Sequence, residues 1–128
     1  MKSIKLLQEY SKTTEVIRAW FMEKMIQSIN EAEDVPDEFK EFMRQQGIED
    51  DRLAAMIDAQ PRSLFDVFDA NGIIINVFYV VGKFHAQITD NDAETEATNR
   101  KDAETSIIEH AFKILEEKLT PVDVQLEE

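Results

Sequence analysis

The chain has no cysteine, only three glycines and three prolines, and 14 basic residues against 27 acidic ones. Each scarcity excludes something. Without cysteine there is no disulfide and no thiolate metal site, which fits a reducing compartment. The glycines, Gly47, Gly72 and Gly82, are scattered, so no glycine-rich loop cradles a phosphate. The formal charge of −13 sets the field of the molecule against polyanions, and binding to nucleic-acid backbones or anionic lipid starts from repulsion. No stretch approaches the roughly 18 apolar residues of a membrane span. The first residues, M-K-S-I-K-L-L-Q-E-Y, reach Glu9 before the apolar core of a secretory signal can form. The expectation is a cytoplasmic protein.

Chemistry is scarce as well. Only two histidines are present, His85 and His110, and no H-x-x-x-H or H-E-x-x-H spacing exists to hold zinc. A serine nucleophile elbow is missing. Asp69-Ala70-Asn71-Gly72 imitates the middle of a calcium loop. The first and twelfth ligand positions would fall on Val67 and Phe78, which carry no side-chain oxygen. Carboxylates are abundant, but spacing places no pair of them in a cleft. The expectation is a non-enzymatic protein with no catalytic residue, no metal and no cofactor.

What the chain does have is an apolar centre. From Ile73 to Val81 the only polar side chain is Asn76, and nearly every residue is β-branched or aromatic, which predicts a strand covered on both faces. Asn71-Gly72 predicts a hairpin turn ahead of it, and Val81-Gly82-Lys83-Phe84 a weaker one behind. The result is a three-stranded antiparallel meander, Arg62 to Asp69, Ile73 to Val81 and Phe84 to Thr89, with the apolar strand in the middle.

Helices flank it. Ser3 to about Ala32 carries Ile4, Leu7, Thr14, Ile17, Phe21, Met25 and Ile29 at helical spacing, widened by Trp20, Met22 and Ile26, with a possible break near Ser11 to Thr14. This stripe predicts core, with any excess width left for a partner groove or dimer face. Phe39, Phe42 and Met43 predict a short helix between Pro36 and Gly47, and Leu53, Met56 and Ile57 another that ends before Pro61. Asp90 to Thr98 reads as an exposed acidic loop. Asn99 then caps a last helix with Asp102 as its reciprocal partner, and Thr120-Pro121 stops it.

One domain over residues 1–128 follows, α+β in class: a helical part to residue 60, a meander over 61–89, a helix over 99–120 and a loose acidic tail over 121–128. The simplest layering places the sheet between the N-terminal helices and the C-terminal helix. The alternative stacks all helices on one face, as in double-stranded-RNA-binding domains. Duplex RNA is disfavoured as a ligand, because Arg100 and Lys101 stand beside Asp90, Asp92, Glu94 and Glu96.

Three segments, P-R-S-L-F-D-V-F-D-A-N-G-I from Pro61, V-F-Y-V-V-G-K-F-H-A-Q-I, and N-R-K-D-A-E-T-S-I-I-E-H-A-F-K-I-L-E, resemble small uncharacterised proteins of phages and prophages. That resemblance implies a helix–sheet–helix sandwich acting in a bacterial host cell, and transfers no functional residue. Between Glu33 and Gln60 nine acidic and three basic residues give a net charge of −6. The functional expectation is an acidic module that engages a basic surface on a host nucleic-acid-binding or defence protein. Its candidate residues are Glu33, Asp34, Asp37, Glu38, Glu41, Asp50 and Asp51, with Asp90, Asp92, Glu94 and Glu96 as a second set. The alternatives are a self-associating structural protein and a small-molecule or nucleotide-signal binder near Trp20, Tyr79 and His85.

Overall fold

The computed structural model describes residues 3–31 and 35–120. It is α+β, with helices at both ends of a three-stranded antiparallel sheet. The order is α1 (Ser3–Glu9), α2 (Ser11–Asn30), α3 (Asp37–Gln46), α4 (Asp50–Ala59), α5 (Ser63–Ala70), β1 (Ile75–Val80), β2 (Lys83–Ile88), β3 (Glu94–Ala97) and α6 (Arg100–Leu119). The expected tail over 121–128 lies outside the described residues, as do Glu33 and Asp34.

The helical ends follow the sequence signals. The break in the first helix falls at Tyr10, one residue before the predicted window. No side chain of its own caps α2. Glu116 of α6 does so instead, its carboxylate accepting from the backbone N–H of Thr13 at 2.9 Å and of Lys12 at 3.4 Å, which satisfies donors that a helix start leaves open. Burial raises the pKa of Tyr10 at this junction above its ordinary 10.0, helped by Glu9, Glu109, Glu117 and Glu116. Gly47 ends α3 with φ +69°. Asn99 caps α6 as predicted, accepting from the Asp102 N–H at 2.8 Å and donating to its carboxylate at 2.9 Å.

Two segments depart from expectation. Residues 62–69 were expected as the first strand, but Ser63–Ala70 is helix α5. Leu64, Val67 and Phe68 sit three and four apart and are all fully buried, so the helical period outweighs their β propensity. Asn71-Gly72 is correspondingly a helix end and no hairpin: Gly72 has φ +81°, and the Ile73 N–H returns to the Phe68 carbonyl at 2.8 Å. The missing strand comes from the segment read as an acidic loop. Glu94–Ala97 pairs with β2, so the meander spans 75–97 and not 61–89. Only one face of β3 is half-buried, Thr95 and Ala97, and Glu94 and Glu96 point to water.

The strand order β1-β2-β3 puts the apolar strand at an edge and not at the centre. Its inner side chains, Ile73, Ile75 and Val77, register with Ile88 and Ala86 toward the core. Its outer side chains do not: Ile74, Phe78 and Val80 are 39 %, 39 % and 45 % exposed. The sheet packs on α6 through all three strands, α5 meets β1, and α2 and α5 pack on α6. The helices that meet the sheet therefore share one side of it, the alternative layering, and no described residue outside the sheet covers the second face. Inside, one contiguous core joins Leu7, Ile17, Leu53, Ile57, Leu64, Phe68, Ile107 and Phe112.

The two sheet edges are unlike. β3 carries Glu94 and Glu96, a common protection against strand pairing; β1, I-N-V-F-Y-V, has no charge. The Thr89 N–H donates to the Ile74 carbonyl at 2.9 Å, so by antiparallel alternation the backbone groups of Ile75, Val77 and Tyr79 face the free edge. The β1–β2 hairpin closes through Val81-Gly82, with φ +48° and +79°. A β-branched residue there is strained by roughly 1–2 kcal/mol, and Val81 is 94 % exposed, so it gains no packing in return. Val81→Asn should therefore raise stability by about 1 kcal/mol in urea unfolding.

Candidate docking groove

Helix α3 is short and amphipathic, with Phe39, Phe42 and Met43 on one stripe between Pro36 and Gly47. Three apolar side chains are too few to seat it fully, and none of its residues is buried. It rests on α2, and between them lies a groove of ≈ 480 Å³ lined by Met22, Met25, Phe39, Phe42, Met43 and Ile48. Phe39 and Phe42 remain 49 % and 55 % exposed. Two half-open phenyl rings over three methionines make a surface that is apolar and deformable, since the unbranched thioether repacks at little cost.

Charge surrounds it unevenly. Glu49 and Arg52 also line the groove. Asp37 pairs with Lys40 at 3.6 Å and Glu41 with Arg44 at 3.4 Å, each within α3. Asp50 is tied to Arg18 of α2, which also donates to the Ile48 carbonyl. Burial opposes the charged form of Arg18, but its bonds to Asp50 and Glu15 outweigh burial and raise its pKa. These contacts pin the start of α4 to α2 and shape the floor of the groove. Glu38, Glu49 and Asp51 form no ion pair among the described residues.

The expected acidic residues thus divide. Asp37, Glu38, Glu41, Asp50 and Asp51 gather on α3 and α4 near the groove. Asp90 and Asp92 lie in the β2–β3 turn, and Glu94 and Glu96 project from β3 onto the open sheet face. There His85 stacks on Phe78 at 5.3 Å and 11°, with Glu94 and Glu96 at 3.9 and 3.8 Å from its Nδ1. Since α3 rests on α2 while β3 joins β2 and α6, the two sets occupy different layers. Trp20, Tyr79 and His85, expected to share a pocket, do not come together: Trp20 lies on α2 beneath the Lys24 ammonium, and Tyr79 and His85 face opposite sides of the sheet.

The sequence predicts a short helix from Phe39, Phe42 and Met43 but not the exposure of its two rings. The signal for that exposure is the shortness of the helix, a stripe of three residues between two helix breakers. Comparison with protein-family models, curated proteins and solved structures gave no match.

Proposed function

We propose that the protein is a non-enzymatic binding module that takes an amphipathic, basic helix of a partner protein into the groove between α2 and α3. The observation that carries this reading is the pair of half-exposed rings, Phe39 and Phe42, lining one groove with Met22, Met25 and Met43, with Glu38, Glu49 and Asp51 forming no ion pair among the described residues. Helix-in-groove recognition needs such an apolar floor for anchors at i, i+3, i+4 and i+7. Cations on the flanks of the incoming helix would meet Glu38, Glu49 and Asp51. Residues 121–128 carry three carboxylates and no cation, which makes that segment a poor occupant of the same groove. The resemblance to phage and prophage proteins supports a role as a phage-encoded modulator of a host nucleic-acid-binding or defence protein in the bacterial cytoplasm.

A designed lysine-leucine peptide with leucines at helical spacing is a direct probe. It should bind and shift the emission of Trp20 on α2, whereas a scrambled peptide of equal composition should not. Phe39→Asp with Phe42→Asp should weaken binding by about 2 kcal/mol or more, roughly thirtyfold, with helix content unchanged. Charge reversal at Asp37, Glu38 and Glu41 should act through the association rate and vanish at high salt. Equal binding of both peptides would defeat the proposal.

A second reading, self-association, is favoured by the uncharged free edge of β1, where Tyr79 is 61 % and Val81 94 % exposed. Sedimentation should then show a concentration-dependent dimer that Val80→Lys, on the exposed outer face, abolishes, because a charge on the strand blocks pairing.

A further inference from the structure

Three cations converge on one cavity of this acidic chain. The cavity, ≈ 640 Å³, lies between the α4–α5 turn and the start of α6, and Arg62, Arg100 and Lys101 line it together with Asp58 and Glu104. Its volume is in the usual range for small-ligand sites, ~300–1,000 Å³. Both carboxylates are engaged. Asp58 accepts from the Ser3 hydroxyl at 2.7 Å. Glu104, only 6 % exposed, accepts from Arg62 Nε at 3.2 Å through Oε1 and from Arg100 Nε at 3.1 Å through Oε2.

That geometry leaves a specific surplus. Two guanidinium groups are brought to one carboxylate, and each uses only its Nε–H. Their Nη groups have no hydrogen-bond partner among the described residues. The side chains of Arg62 and Arg100 are 65 % and 51 % exposed, so the free forks are reachable. Lys101 forms no ion pair among the described residues. With Asp58 and Glu104 counted, the lining carries a formal +1 inside a chain of −13. Screening within about 8–10 Å keeps the distant carboxylates from cancelling it. The first amides of α6 also point to this end, because the Asn99 cap satisfies only the Asp102 N–H.

We propose that this cavity binds a phosphate group, held between the free guanidinium edges of Arg62 and Arg100 with Lys101 as a third cation. Planar donor forks match tetrahedral oxyanions two oxygens at a time. Glu104 is the positioning residue: it neutralises part of the charge of the pair and fixes both planes. The phosphate is either free or the terminal group of a nucleotide, and both meet the same donors.

The test uses the full chain with sodium phosphate, AMP and sodium chloride at matched ionic strength, followed by amide chemical shifts and thermal unfolding. Phosphate should shift the amides of Ser63, Arg100 and Lys101 and raise Tm, and chloride should do neither. AMP binding more tightly than phosphate assigns the nucleotide; equal affinity assigns the free anion. Lys101→Glu, which breaks no internal contact, should keep the unliganded Tm and weaken binding about tenfold or more. Arg62→Lys and Arg100→Lys keep the charge beside Glu104 but lose the fork, and each should weaken binding as well. Identical shifts in chloride and phosphate, or full affinity in Lys101→Glu, would overturn the assignment.

Discussion

Phe112→Ala should cost about 3–5 kcal/mol of folding stability and lower Tm by roughly 10–20 °C. A domain of this size is held by only ~5–15 kcal/mol, so the variant sits near the limit of folding. Phe112 is fully buried on the helix that meets both the sheet and α2. Its ring packs edge-on against Phe68 at 5.6 Å and lies tilted against Tyr10 at 6.0 Å, and the Thr13 hydroxyl bonds to its carbonyl at 3.3 Å. The cavity left by truncation opens between α5, α6 and the α1–α2 junction, three elements that cannot all collapse inward. Urea unfolding followed by circular dichroism measures the loss, and Phe112→Leu should recover most of it. A cost below about 1 kcal/mol would mean that α6 is not the shared support of the two layers.

The second large effect is electrostatic. Replacing Arg62 and Arg100 together by alanine should cost about 3 kcal/mol or more, because a carboxylate left buried without partners loses far more than an exposed pair gains. The side chain of Glu104 is 8 % exposed, and among the described residues Arg62 and Arg100 are the cations bonded to it. Adding Glu104→Met to the same chain should restore most of the stability, since an apolar side chain of similar volume needs no counter-charge. Each arginine removed alone should cost less, as the other still bonds to one oxygen. A double variant as stable as the parent would show that Glu104 reaches solvent through the cavity.

The elements that announce themselves locally were legible: the Asn99 cap, the Gly47 stop, the Tyr10 break within one residue, and the α+β class. What failed was long-range. Leu64, Val67 and Phe68 satisfy both a helical period and a β composition, and burial against α2 and α6 decides between them. Glu94–Ala97 is a strand only because β2 offers it a ladder, which no property of E-T-E-A foretells. Continuous hydrophobicity from Ile73 to Val81 implied cover on both faces, but the cover on the outer face is not supplied by this chain's described residues. The groove was half legible: the acidic cluster and the surplus width of the first helix stripe pointed there, whereas the exposure of Phe39 and Phe42 depends on how shallowly α3 docks. The cavity at the start of α6 was illegible, because Arg62 and Arg100 are far apart in sequence and meet only through Glu104.

The unlike borders of the sheet carry a further implication. A strand from outside can extend the ladder beyond Ile75–Val80, but at the far side Glu94 and Glu96 stand in a row and repel any newcomer of the same kind. Growth is therefore one-sided: two copies joined at their neutral borders would present only glutamate-lined margins to a third. A pair formed in that way would not seed a fibre.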